Sequence, residues 1–125
     1  RRGVDIAKLA ERLAKDKNHE IKAVLVVHNE TATGMFIPIQ DVRRALDETR
    51  HPALLLSDTI SSLGSLDYRM DAWGIDVTVG GSQKGLMLPT GMSMTGVSNK
   101  ALEVAAKSKM PRHYFNWQMM NARKP

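Results

Sequence analysis

Apolar positions along this chain change their period several times, and each change marks an element. In "VDIAKLAERLAKD", Ile6, Leu9 and Leu13 recur at helical spacing, with Asp5 placed to cap the first turn. The pattern then becomes continuous. Ala23 to Val27 is an unbroken valine-rich run, which predicts a strand buried on both faces. The polar segment "HNETATG" follows it. Pro38 opens a second predicted helix with Ile39, Val42 and Leu46 on one face. Proline suits a first helical turn because the N–H it lacks has no helical partner there. That helix should end by Arg50, since His51 precedes Pro52 and a residue before proline is pushed out of the helical region.

The second half repeats the alternation. "ALLLSD" is an apolar run ending at Asp58, and "IDVTV" is another, ending before Gly80 and Gly81. Between them, "SSLGSLDYRMDAWG" reads as a loop with a helical turn near Met70 to Trp73. "MSMTGVS" alternates loosely and predicts a fourth strand. Ser98 or Asn99 then caps a helix over Ala101 to Ser108, and "MPRHYFNWQMM" reads as loop followed by helix. Helices alternating with strands predict an α/β fold with a mostly parallel sheet and flanking helices.

Composition narrows the class. The 125 residues are 42% hydrophobic and 25% charged, which is globular. No segment reaches the roughly 20 apolar residues of a membrane helix, and the charged, helical start is unlike an apolar leader. There is no cysteine, so neither disulfides, thiolate metal sites nor a cysteine nucleophile exist within the chain, and a cytoplasmic setting is expected. The net charge of +5 raises nucleic acid as a partner. The basic residues are scattered, however, many lie beside acids as in "QDVRRALDETR", and aromatics for base stacking are few. Nucleic acid and membrane are therefore not expected partners.

In open parallel sheets, ligands bind beyond the carboxyl ends of the strands. After the first apolar run comes "HNETATG", after the second "SDT", after the third "GGSQKG". If these strands are parallel neighbours, Thr31, Asp58 and Lys84 leave the same edge, and a hydroxyl, a carboxylate and an ammonium converge there. Each also has an ordinary reading. Thr31 is a turn hydroxyl bonding its own backbone; Asp58 caps the following "TISS" segment; Lys84 is a surface lysine in a glycine-rich turn. His19, His28, His51 and His113 lack metal-ligand spacing, Gly80-Gly81 is no dinucleotide fingerprint, and no GxSxG elbow occurs.

Pyridoxal 5'-phosphate suits a carboxylate, a hydroxyl and a lysine on one sheet edge. A carboxylate keeps its ring nitrogen protonated, a hydroxyl bonds its phenolic oxygen, and a lysine amine condenses with its aldehyde.

"LLLSDTISSLGS" followed by "GIDVTVGGSQKGLMLPTGMS" resembles the class V aminotransferases of the fold-type I pyridoxal-phosphate enzymes. "HNETATG" resembles that family's Glu-Thr/Ser-x-Thr-Gly segment, and Asp58 and Lys84 are spaced as its Asp and Lys are. Gln83 departs from the His that precedes the lysine in cysteine desulfurases and from the Asn of aminoethylphosphonate transaminases. Ser-Gln-Lys-Gly departs from the Ala-Gln-Lys-Asn of phosphoserine aminotransferases. "GSQKGLMLP" and "RHYFNW" look most like the serine–glyoxylate and alanine–glyoxylate branch.

The resemblance implies roles. Lys84 would form the Schiff base and carry the proton of a ping-pong transamination from L-serine or L-alanine to glyoxylate, giving glycine. Asp58 would partner the pyridine nitrogen, Thr31 the phenolic oxygen and Gln83 the phosphate, while Ile60 would pack on the ring. Ser82 takes no role. The resemblance further implies that residues 1–125 are part of a large cofactor-binding domain. The phosphate cup and ring-stacking residue would precede Arg1, and the small domain with the substrate-gripping arginine would follow Pro125. Arg69 and Arg112 are then surface residues. A homodimer is implied for the full-length protein. The rival expectation is a non-catalytic fragment or interaction module that keeps the lysine motif without activity.

Overall fold

A computed structural model describes residues 3–122. Helix α1 (Ile6–Lys15) starts where Asp5 accepts a hydrogen bond from the Lys8 N–H at 3.1 Å. Strand β1 (Ala23–Val27) follows, then a small antiparallel hairpin of β2 (Asn29–Glu30) and β3 (Met35–Phe36). Helix α2 (Ile39–Glu48) has Pro38 as its N-cap, so the proline stands just before the first helical residue. Its salt bridges, Arg43–Asp47 and Arg44–Asp41, match the paired charges of the sequence.

Strands β4 (Leu54–Asp58), β5 (Val77–Gly81) and β6 (Ser93–Val97) join β1 in a four-stranded sheet of order β1-β4-β5-β6. The first two pairings are parallel, with Val27 beside Asp58 and Asp58 beside Val79; β6 runs antiparallel to β5. Helices α3 (Asn99–Lys107) and α4 (Trp117–Asn121) follow, α3 capped by Ser98.

The α/β class and mostly parallel sheet are as expected, with three differences of detail. Gly80 and Gly81 lie inside β5, paired with Met94 and Ser93, rather than after it. The strand starts late because Asp76 is occupied as a bracket: its carboxylate accepts from the Leu55 N–H at 2.9 Å and the Ser98 hydroxyl at 3.0 Å. The β2–β3 hairpin is too short to leave a periodic signal. And β1 is not buried on both faces. Val24 and Val26 face the core with Leu13, Ile39, Val42, Leu46, Leu55 and Ile75, whereas Leu25 is 74% exposed. Helices α1 and α2 and the segment around Tyr68 to Trp73 pack on that core side. On the other side Leu25, Leu56, Val77 and Val79 line an apolar depression that reaches Asp58.

Candidate active site

The three strand exits are held level by backbone hydrogen bonds that continue past the ladder. The His28 N–H donates to the Asp58 carbonyl and the Thr59 N–H to the Val79 carbonyl, each at 2.9 Å. The polar segments after β1, β4 and β5 therefore leave one edge of the sheet.

Thr31 lies in the turn of the β2–β3 hairpin, exposed. The Thr33 and Gly34 N–H groups both donate to the Glu30 carbonyl, at 3.2 and 2.7 Å, and Gly34 takes a left-handed φ of 65° that its missing Cβ permits. The hydroxyl that bonds local backbone is that of Thr33, which accepts from the Met35 N–H at 3.3 Å. Thr31 Oγ1 makes no hydrogen bond among the described residues.

Asp58 ends β4 with its side chain exposed. Oδ1 accepts from the Ile60 N–H at 2.9 Å, as a local cap would, and Oδ2 makes no hydrogen bond among the described residues. The carboxylate thus keeps one free oxygen beside the apolar depression. Ile60 and Gln83 meet over Gly81: a Cβ built there would lie 3.3 Å from Ile60 Cδ1 and 3.0 Å from Gln83 Oε1. Gly81 is a position where any larger residue crowds both neighbours.

The lysine loop is built by groups that local sequence reasoning left without a role. Ser82 is fully buried. Its hydroxyl donates to the Pro89 carbonyl at 2.6 Å and accepts from the Met92 N–H at 3.3 Å. Its backbone joins Met92 and Leu88 as well, at 3.1 and 3.0 Å. Residues 83–91 are thereby gathered into a closed loop. On its other flank Gly85 meets the segment after β4 backbone to backbone. A Cβ on Gly85 would stand 2.4 Å from the Leu63 carbonyl oxygen and 2.7 Å from the Ser65 nitrogen. Gly64 faces it with φ 82°, and a Cβ there would stand 2.9 Å from the Gly85 carbonyl. Lys84 sits between these anchors, exposed, its amine free of ion pairs and hydrogen bonds among the described residues.

The hairpin and the β4 loop are tied together by side chains. His28 Nδ1 pairs with Ser62 Oγ at 2.9 Å. Ser61 Oγ donates to the Asn29 carbonyl at 2.7 Å and accepts from Asn29 Nδ2 at 3.1 Å. The His28 ring is fully buried among Phe36, Tyr68 and Trp73. Burial pushes its pKa below the ordinary imidazole value, so the ring is neutral at neutral pH. Tyr68 is likewise held neutral, here by keeping its proton: burial raises its pKa, and its hydroxyl pairs with Thr78 Oγ1 at 2.5 Å.

One expectation needs correction. Arg112 is not a plain surface residue; its guanidinium donates to the Ala105 carbonyl at 2.6 Å and closes the end of α3. The "LMLP" stretch beside the lysine is open within this chain: Met87 is 89% and Leu88 46% exposed. Met87 takes a φ of 54° where its N–H turns back to the Lys84 carbonyl at 2.9 Å, which carries its side chain outward. Arg69 is exposed beside Asp67, as expected. No group of three or more His, Cys, Asp or Glu that could hold a metal occurs among the described residues.

These residues fit pyridoxal phosphate. The edge offers a carboxylate oxygen free to meet a protonated ring nitrogen, an unengaged primary amine, an unengaged hydroxyl, and an apolar side chain, Ile60, packed at Gly81 for the flat face of a ring.

The chain has relatives of known family. Residues 4–122 match the family model for aminotransferase class-V. Over 94% of its length the chain is 55% identical to the serine–glyoxylate aminotransferase of Hyphomicrobium methylovorum, covering 30% of that protein. It is 53% identical over 91% of its length to the L-aspartate–glyoxylate aminotransferase of Paracoccus denitrificans, covering 29%. Among solved structures, the alanine–glyoxylate aminotransferase of Nostoc sp. superposes with a TM-score of 0.80 at 29% identity, over 94% of this chain and 30% of that one. The chain therefore spans less than a third of the length of these relatives. With a family match across nearly all of its residues, and the fold of a solved relative beneath them, this chain belongs to the class-V aminotransferases.

Proposed function

We propose that this chain is part of the large, cofactor-binding domain of a pyridoxal-phosphate-dependent aminotransferase that moves the amino group of L-serine to glyoxylate, giving glycine. The observation that carries the reading is the level exit of three neighbouring strands. They present a free hydroxyl, a half-free carboxylate and an unengaged lysine at one edge. The choice of reaction rests on relatives named for glyoxylate transamination with serine or aspartate as donor.

Bound pyridoxal phosphate supplies the electron sink that makes an α-proton removable. The chain's residues supply the rest. The Asp58 carboxylate would hold the pyridine nitrogen protonated, which opposite charge at close range favours. The Thr31 hydroxyl would donate to the phenolic oxygen. Ile60 would pack on the ring, and Gln83 would bond the phosphate. Lys84 Nζ would anchor the cofactor and, as a general base, hold and move the α-proton. The closed loop from Ser82 to Met92 limits where that amine can go, which is what proton transfer over hydrogen-bond distance requires.

The test uses the full-length polypeptide. Addition of pyridoxal phosphate should produce an absorbance band near ~400–430 nm, characteristic of the cofactor joined to a lysine. Lys84→Ala should lack it, and an equal band in that variant would overturn the assignment. A donor screen with glyoxylate should favour L-serine. Preference for L-alanine or L-aspartate would reassign the donor, and failure with every donor would overturn the activity.

A further inference from the structure

We propose that Asn29 and Ser61 form a clip that positions the Thr31 hydroxyl against the Asp58 carboxylate. The proposal rests on the pyridoxal-phosphate reading of the site and deepens it. The hairpin that carries Thr31 pairs only Asn29 with Phe36 and Glu30 with Met35. Two pairs do not hold a hairpin in place by themselves, since isolated hairpins are marginal in water. Its placement must come from attachments to the sheet.

Those attachments converge on the loop that follows Asp58. The Ser61 hydroxyl uses its proton on the Asn29 carbonyl and a lone pair on the Asn29 amide, so one side chain fixes both the backbone and the side chain of Asn29. His28 and Ser62 make the adjoining bond, buried and one residue before the hairpin strand begins. Asn29 lies two residues before Thr31 and Ser61 three residues after Asp58. The clip therefore bridges the two segments whose polar groups must meet opposite parts of one rigid ring. Ser61 is only partly buried, which makes it a gentler site to alter than Ser62.

A hydroxyl donating to the cofactor's phenolic oxygen favours the state in which the neighbouring lysine nitrogen has lost its proton. Its removal should raise the pH midpoint of the visible band. In the full-length protein loaded with pyridoxal phosphate, Thr31→Val is expected to raise that midpoint by about 0.5–1 unit, the scale of one hydrogen bond. Ser61→Ala, which leaves Thr31 intact, should raise it in the same direction. The double variant should do no more than Thr31→Val alone, and Ser61→Thr should restore the original value. In the cofactor-free protein, Ser61→Ala should speed amide hydrogen exchange of residues 29–36 several-fold while α1 is unchanged.

A midpoint moved by Thr31→Val but not by Ser61→Ala overturns the clip and leaves the cofactor reading standing. The same holds if exchange rises without any change in midpoint, for Ser61 is then structural only. A band that survives Lys84→Ala overturns the cofactor reading itself. A midpoint indifferent to Thr31→Val removes the hydroxyl's role and the clip's purpose with it.

Discussion

The Ser82 hydroxyl, fully buried, donates to the carbonyl of Pro89 2.6 Å away and so closes the loop that carries Lys84. Ser82→Ala leaves the Pro89 carbonyl and the Met92 N–H without that partner. The expected cost is about 1–3 kcal/mol, the penalty of stranding buried polar groups. Denaturant unfolding of the variant measures it, and a loss below the measurement error would show that water replaces the hydroxyl.

Gly85 and Gly34 should both resist alanine, for different reasons. At Gly85 the obstacle is space, because the new Cβ meets the Leu63 and Ser65 backbone. At Gly34 nothing lies within 4 Å, but φ is 65°. Gly85→Ala should cost about 1–3 kcal/mol by overpacking and displace the lysine loop. Gly34→Ala should cost about 1 kcal/mol through backbone strain alone. Gly85→Ala should in addition weaken pyridoxal-phosphate binding, read by titrating the visible band. Equal binding by both variants would show that the loop's position does not matter to the cofactor.

His28 should make the fold sensitive to mild acid. Its folded-state pKa is lowered by burial, so the unfolded chain takes up a proton at higher pH than the folded one. The contribution of the neutral ring is complete above the ordinary imidazole value of about 6.5. It is lost as pH falls below that value toward the lowered folded-state pKa. Asp16 acts at lower pH with the same sign. The backbone N–H groups of Ile21 and Glu20 hold its pKa down, so its contribution disappears as pH falls through the carboxylate range. Thermal melts between pH 7.5 and 5.5, in roughly half-unit steps across the histidine range, should show a decline that His28→Gln flattens. An unchanged slope in the variant would assign the decline to another group.

The exposed sheet face should make the isolated chain self-associate. Leu25 and Val79 leave an apolar depression open beside an edge strand. Sedimentation should show species heavier than a monomer, reduced in Leu25→Lys, with little change in unfolding midpoint because an exposed position contributes roughly 0.5 kcal/mol or less. A clean monomer for the unaltered chain would contradict this. The open face and the exposed Met87 and Leu88 also predict slow transamination by the isolated chain, since water reaches the lysine freely.

The sequence by itself determined whatever is encoded within a few residues. The spacing of Ile6, Leu9 and Leu13 and the Asp5 cap mark α1. The runs ending near Val27, Asp58 and Val79 mark strands, and the residue types beyond them mark one edge with candidate chemistry. Short-range sterics and periodicity decide these features. Tertiary structure decided what depends on partners far apart in the chain. The order β1-β4-β5-β6, the reversed direction of β6 and the exposure of Leu25 follow from which layers pack where, and an unbroken apolar run is silent on that. The Asn29–Ser61 clip, the His28–Ser62 pair and the contact of Gly85 with Leu63 and Ser65 join residues with no common local pattern. A serine in "TISS" or a glycine after a lysine has many ordinary uses. Only when β4 and its neighbours lie side by side do those hydroxyls and missing side chains acquire partners, because hydrogen bonds and close contacts act over a few ångströms of space and not along the chain.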